Sequence, residues 1–260
     1  MLSARSIEFA GRIPVLARCL RWCAASYRDG SIVTIKHGAA AGLRWKRSHR
    51  YVNGYWIGHY ELSVQEALAR LLNPGQTFYD VGANAGFFTL LAARLVGPLG
   101  RCVAFEPLPM NYHDLAGQLQ LNGLDHCQAV MEAVSDVEGV TTFQIGPDSS
   151  TGGLSEKAGN LERDCIQVRV TTVDHAVTRF GRPHLIKLDV EGAEVKALSG
   201  ARDTIKEFSP SWLIELHGRD CEAGVKGILG SAGYRFFDLS GSTLLLTDSL
   251  PNHVIAIPRL

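Results

Sequence analysis

From Glu61 onward the apolar residues fall into two alternating rhythms. Short unbroken apolar runs predict buried strands, and longer stretches with apolar positions three and four apart predict helices. Ser63–Leu72 reads as a helix stopped at Asn73-Pro74-Gly75. Thr77–Val81 then reads as a strand, Phe87–Val96 as a helix closed by Gly97-Pro98, Cys102–Phe105 as a strand and Met110–Leu121 as a helix. Gln128–Val134, 141–145 and 166–171 predict three more strands, with a polar, Gly-rich segment at Pro147–Asn160 as a mobile loop. Leu185–Asp189 is a buried strand, Ala193–Phe208 a helix, Trp212–Leu216 a strand and Cys221–Ala232 a helix. Arg235–Asp238 with Thr243–Leu246 or His253–Ile257 ends the chain in β structure. Strands alternating with helices of ten to fifteen residues make βαβ units, so the fold expected is α/β, a doubly wound and mostly parallel sheet. Ligands of such sheets lie at the C-terminal strand edge, near the point where strand order reverses.

The first sixty residues do not share this rhythm. Residues 3–28 read as a helix with Val15, Cys19, Trp22 and Cys23 on one stripe, and 31–37 with 43–47 as a β-hairpin. The expected organisation is therefore an N-terminal helix-and-hairpin extension, 1–60, followed by one domain, 61–260. Charge sharpens the division. The 260 residues carry 26 basic and 26 acidic side chains, but residues 1–50 hold ten Lys or Arg against Glu8 and Asp29, which leaves the remainder acidic. A balanced total does not suggest a nucleic-acid binder. The basic helix would either touch an anionic membrane surface peripherally or present a solvated face while packing on the domain. No stretch approaches the ~20 apolar residues of a transmembrane helix. The six cysteines form no C-x-x-C pair, which fits free thiols in a reducing, cytoplasmic setting.

Chemistry concentrates in a few places. In Phe78-Tyr-Asp-Val-Gly-Ala-Asn-Ala-Gly-Phe87 a buried strand runs into a glycine-bearing turn and then a helix. Gly82 and Gly86 allow a ligand to approach the backbone, and Asp80 places a carboxylate beside that gap. A dinucleotide turn would need G-x-G-x-x-G and would bring helix amides to a pyrophosphate. An acidic residue two before the first glycine repels a pyrophosphate and suits an ammonium or sulfonium. Glu106 ends the next strand, where a carboxylate can accept hydrogen bonds from ribose hydroxyls. Helix-terminal carboxylates with a purely structural role are the plainer alternative for both acids.

With these pieces in order, the chain resembles the FkbM family of class I, Rossmann-like S-adenosylmethionine-dependent methyltransferases. The matching segments are Asp80-Val-Gly-Ala-Asn-Ala-Gly, Ala104-Phe-Glu-Pro, Leu121-Asn-Gly-Leu, Ala133-Val-Ser-Asp, Val170-Thr-Thr-Val-Asp, Ile186-Lys-Leu-Asp-Val-Glu-Gly-Ala-Glu and Leu213-Ile-Glu-Leu-His. They span about residues 55–257. The resemblance implies that Asp80, Gly82, Ala83, Asn84, Gly86 and Phe87 hold the methionine end of S-adenosylmethionine and that Glu106 holds its ribose. It places Glu132 and Ala133 at the adenine pocket, although Glu132 stands where an Asn is expected, and it sets Asp189 beside the reacting methyl.

Asp189, Glu191, Glu215 and His217 follow the ends of two strands that should be neighbours. Methyl transfer from a sulfonium needs an aligned nucleophile and removal of its proton. His217, Asp189 or Glu191 could be that base. Alternatively Asp189, Glu215 and His217 could hold a divalent cation such as Mg²⁺, or the acids could serve as a hydrogen-bonding scaffold alone. Glu191 and Glu194 also suit a helix start, where acids cap. Tyr60, Glu61 and Ser149–Gly153 border the acceptor site or play packing and loop roles. The family expectation is O-methylation of a hydroxyl on a small molecule or sugar. The alternatives are a non-catalytic cofactor-binding relative and, behind it, an NAD-dependent oxidoreductase.

Overall fold

The computed structural model describes residues 27–51, 54–146, 152–154 and 165–259. The basic helix expected over 3–28, with Cys19 and Cys23, lies almost entirely outside them. The chain divides into two compact units, Met1–Leu62 and Ser63–Leu260. In the first, β1 (Ile32–Thr34) and β2 (Arg44–Lys46) pair antiparallel as the expected hairpin. Trp45 is buried in the hairpin with the Tyr55 ring 5.2 Å away, and Tyr60 packs edge-on against Tyr55. The Arg47 guanidinium stacks over the rings of Tyr27 and Trp56.

The second unit is built on an eight-stranded sheet. Its strands are β3 (Thr77–Val81), β4 (Arg101–Phe105), β5 (Cys127–Val130), β10 (Leu185–Leu188), β11 (Ser211–Glu215), β12 (Tyr234–Phe237), β13 (Thr243–Leu244) and β14 (His253–Pro258), in the order β13-β12-β14-β11-β10-β3-β4-β5. β5, β4, β3, β10 and β11 are parallel, and β14 inserts antiparallel between β11 and β12. This is the doubly wound α/β architecture expected from the sequence. Strand order reverses between β3 and β10, so the gap beyond their C-terminal ends is the place for a ligand.

The pleat sorts side chains onto two faces. Tyr79, Val81, Val103, Phe105, Ile186, Leu188, Trp212 and Ile214 point into one core, covered by apolar residues of the helices Val173–Phe180, Glu194–Ser199, Arg202–Phe208 and Arg219–Ser231. The helices Phe87–Val96 and Pro109–Leu121 pack against β3, β4 and β5. On the face opposite that core the register sets Asp80 beside Lys187 of β10 and Ala104 of β4. A charged pair thus occupies the middle of a buried sheet.

Several elements differ from expectation. Gln128–Val134 is two strands rather than one. The chain leaves the large sheet after Val130 and enters a second, four-stranded sheet at β6 (Ala133–Val134), which continues through β9 (Cys165–Thr171), β7 (Gly139–Ile145) and β8 (Gly152–Leu154). β8 pairs with Phe143–Ile145, so Gly152–Leu154 is a strand and not part of a mobile loop; the rest of 147–160 lies outside the described residues. The single helix expected over Ala193–Phe208 is two. Asp174 accepts hydrogen bonds from Asp203 N, Thr204 N and Thr204 Oγ1, capping a fresh helix start at Arg202. The helix Val173–Phe180 was not expected, although its Val173, Ala176, Val177, Phe180 stripe and the Thr172 cap accepting from His175 N carry the signal. At the C-terminus all three β segments form, where two were expected.

Candidate active site

The β3 turn is held by backbone and by two acids. Gly82 N and Ala83 N both donate to Phe105 O, which ties the turn to the end of β4. Gly82 (φ 84°), Asn84 (φ 51°) and Gly86 (φ 88°) are left-handed, so the chain doubles back tightly before the Phe87–Val96 helix. A Cβ on Gly82 would stand 1.8 Å from Asp189 O. That absent atom is what lets the turn abut the end of β10. Ala83, Ala85 and Phe87 are buried under the turn, and Asn84 Oδ1 accepts from Ala85 N.

Asp80 is 1% exposed and accepts a 2.6 Å hydrogen bond from Thr89 Oγ1 at Oδ2. Its Oδ1 is buried with no hydrogen-bond partner among the described residues. Burial pushes its carboxyl up, while Lys187 and the Thr89 hydroxyl pull it back and Asp189 opposes them. Glu106 is equally deep. Its Oε1 accepts from Leu108 N and Asn111 Nδ2, and its Oε2 accepts from Asn84 N at 2.9 Å. Glu106 therefore braces the glycine turn from below and keeps acceptor capacity at Oε2.

Burial raises the Glu106 carboxyl from 4.5 to about 7, against the pull of its three hydrogen-bond donors. The unfolded chain ionises near the ordinary value, so between these limits the folded protein holds the extra proton. The contribution of Glu106 to stability should fall as pH rises from about 4.5 through 7, by at most about 3 kcal/mol, and level off above. Urea unfolding of wild type and Glu106→Gln at pH 5, 6, 7 and 8 checks this: the difference in free energy should move steadily in favour of Gln. A pH-independent difference would remove Glu106 as the source.

Beyond β10 and β11 the remaining acids converge. Lys187 is 4% exposed; its Nζ donates to Asp189 Oδ2 at 2.9 Å and lies 5.1 Å from the Phe88 ring centroid. Glu191 is left-handed (φ 54°) in the turn after β10 and half-exposed. His217 Nε2 is 3.5 Å from Glu191 Oε2 and 3.9 Å from Glu215 Oε1, and Glu215 Oε2 is 3.3 Å from His253 Nε2. His217 Nδ1 meets Glu194 Oε1 at 2.8 Å, and Glu194 is completely buried. The bond to Glu194, with the charges of Glu191 and Glu215, lifts the imidazole from 6.5 to about 9 despite burial. The His253 hydrogen bond and charge, with Lys187 and His217, hold Glu215 below its ordinary value despite burial; burial first, then its acidic neighbours, raises Glu191.

The structure thus brings together Asp189, Glu191, Glu215 and His217, as read from the sequence. Donor atoms of Asp189, Glu215 and His217 lie within 4.8 Å of one another, close enough for a cation. Lys187 already donates to Asp189 Oδ2, and the bond from His217 Nδ1 to buried Glu194 favours the protonated ring, both of which work against a cation there. Two residues at the heart of the cluster were missed as site residues, Lys187 and Glu194. Lys187 had a signal, a lone cation in an apolar strand two residues before Asp189 and so on its face. The two residues expected at the adenine pocket both have protein partners. Glu132 Oε2 is engaged by Arg179 at 2.6 Å, and Ala133 is buried among Leu108, Phe143, Val168 and Val170 in the second sheet. Tyr60 and Glu61 belong to the other unit.

Among the described residues, no helix is long and apolar enough to cross a membrane, and Cys102, Cys127, Cys165 and Cys221 are free. The chain is 25% identical to Methyltransferase 1 of Beauveria bassiana, an alignment covering 68% of this chain and 79% of that protein. It is 26% identical to the 31-O-demethyl-FK506 methyltransferase FkbM of Streptomyces tacrolimicus over 63% of this chain and 74% of that one. It is 27% identical to AMB antimetabolite synthetase AmbE of Pseudomonas aeruginosa over 62% of this chain, but spans only 9% of that protein. Among solved structures it is similar to a methyltransferase FkbM from Methylobacillus flagellatus, with a TM-score of 0.49 and 17% identity over 78% of this chain and 52% of that chain. The methyltransferase FkbM domain matches residues 80–236, more than half of the sequence, and the chain belongs to that family.

Proposed function

We propose that this chain transfers a methyl group from S-adenosylmethionine to a hydroxyl of a small molecule or sugar. One observation carries the reading: the glycine turn of β3 abuts the carbonyl of Asp189, with no room for a Cβ between them. The turn that suits a cationic nucleoside and the cluster that can manage a proton are therefore neighbours.

The residues present fit the cofactor. Asp80 offers a buried oxygen without a partner, and Glu106 Oε2 has capacity for a ribose hydroxyl. A carboxylate beside the turn suits an ammonium group. S-adenosylmethionine, when bound, supplies a methyl group made electrophilic by its sulfonium. The chain's own residues do the rest. Asp189 and Glu191 shape the acceptor side, and His217 in its neutral form takes the hydroxyl proton on Nε2. The methyl would leave with the C–S pair remaining on sulfur and bond to the acceptor oxygen, whose proton the imidazole of His217 would hold. Lys187 offsets part of the cluster's negative charge, and no divalent cation is part of this reading. The free cysteines support a cytoplasmic setting.

Thermal unfolding with S-adenosylhomocysteine, with NAD and with neither tests the cofactor. At a hundred times its dissociation constant a ligand adds ~2.7 kcal/mol of apparent stability. S-adenosylhomocysteine alone should raise the melting temperature. A rise with NAD alone overturns the reading in favour of an oxidoreductase. Transfer of a labelled methyl group, with and without EDTA, to small hydroxyl compounds and to RNA tests the acceptor. Label in a small molecule, insensitive to EDTA, is expected. Label in RNA overturns the acceptor class, and binding without any transfer marks a non-catalytic relative.

A further inference from the structure

Glu194 is a carboxylate shut off from bulk solvent. It is completely buried, and its two oxygens accept hydrogen bonds from several pieces of the site. Oε1 accepts from Val190 N at 3.3 Å, from Gly192 N at 3.0 Å and from His217 Nδ1 at 2.8 Å. Oε2 accepts from the Cys221 thiol at 3.1 Å. One side chain therefore ties the turn after β10, the end of β11 and the first turn of the Arg219–Ser231 helix. Capping does not explain this arrangement. A cap needs the backbone amides alone, whereas here the shortest of the four bonds goes to a histidine 23 residues away.

We propose that Glu194 is the positioning residue of this site, fixing the His217 ring with Nδ1 protonated and Nε2 turned between Glu191 and Glu215 to meet the methyl acceptor. The inference rests on the methyl-transfer reading for its purpose, but its geometry stands apart from it. An anionic acceptor at Nδ1 leaves only Nε2 to gain and lose the working proton. The imidazolium formed when the acceptor hydroxyl gives up its proton is then stabilised by a charge already in place, at no reorganisation cost. The groups facing His217 come from every neighbouring element: Glu194 and Cys221 from two helices, Asp189 and Glu191 from the β10 turn, and Glu215 from β11. His253 of β14 and Lys187 of β10 act on Glu215 in turn. Burial works against Glu194, but the bonds from His217, Gly192 N and Cys221 keep it below its ordinary value and so ionised.

The test is an NMR titration of the imidazole nitrogens of His217 in the full chain, assigned with His217→Asn. In the wild type His217 should titrate at about 9 and, once neutral, carry its proton on Nδ1. In Glu194→Gln, whose amide oxygen can still serve Val190 N and Gly192 N, the midpoint should fall by more than one pH unit towards the ordinary ~6.5. Glu194→Asp should fall in between. A wild-type ring protonated on Nε2, or an unchanged midpoint in Glu194→Gln, overturns the proposal. Should Glu194→Gln fail to fold, the wild-type tautomer alone decides. The melting shift with S-adenosylhomocysteine is recorded on the same samples. An unmoved midpoint with an intact shift sinks the role of Glu194, whereas the expected titration without any shift sinks the cofactor reading instead.

Discussion

Gly82→Ala should melt roughly 5–15 °C below the wild type and bind S-adenosylhomocysteine far more weakly. Two costs add at this position. An alanine at φ 84° is strained by about 1–2 kcal/mol. Its methyl would also stand 1.8 Å from Asp189 O, and a carbonyl oxygen cannot swing aside as a side chain would. Asp189 N is itself bonded to Val81 O, and Gly82 N to Phe105 O, so relief requires the ends of β3, β4 and β10 to part. Overpacking of this kind adds about 1–3 kcal/mol. Gly75 supplies the control, because it has the same φ of 84° and an added methyl group there would meet nothing within 4 Å. Gly75→Ala should show the strain alone. Equal melting losses in the two proteins, measured by circular dichroism, would mean that the turn and Asp189 are not in tight contact.

Lys187→Met should cost about 3–5 kcal/mol, the usual effect of removing one partner of a buried ion pair. The ammonium is bonded to Asp189, sits beside Asp80 in the sheet register and faces Glu215 electrostatically. Methionine fills similar volume, so the loss is charge rather than packing. Asp80, already raised by burial, would rise further and take up a proton. A carboxyl raised in the folded state favours folding while protonated, so the defect should deepen as pH rises from 5 to 8. Adding Asp80→Asn removes the uncompensated charge and should recover much of the loss in the double variant. Urea unfolding of the four proteins at pH 5 and pH 8 measures both effects. Strict additivity, or a defect independent of pH, would show that Lys187 does not answer to Asp80.

The local half of the site is legible from residue order. Asp80-Val-Gly-Ala-Asn-Ala-Gly announces a strand, a left-handed turn and a helix within ten positions, because φ preferences and apolar runs act over a few residues. Glu106 can be assigned to the end of the next strand for the same reason. Its depth, and the three donors that make it a brace for the turn, cannot. The break between Val130 and Ala133 is hidden because both halves are apolar and only pairing with β4 or β9 separates them. The Val173–Phe180 helix is a different case: its stripe and Thr172 cap are present in the sequence, but eight residues carry barely two turns of the period.

By itself the sequence determined the alternation of strands and helices, the chemistry of the β3 turn and the presence of Asp189, Glu191, Glu215 and His217 near strand ends. Those are properties of neighbours along the chain. Only the tertiary structure decided that Lys187 is buried between Asp80 and Asp189, that Glu194 faces His217 across 23 residues, and that Asp189, Glu215 and His217 answer to resident charges. Sheet order β11-β10-β3 sets which strand ends meet, and burial sets how strongly charges act once they do. A carboxylate in the chain is only a candidate; the partners that fold onto it settle whether it binds, braces or holds a proton in place.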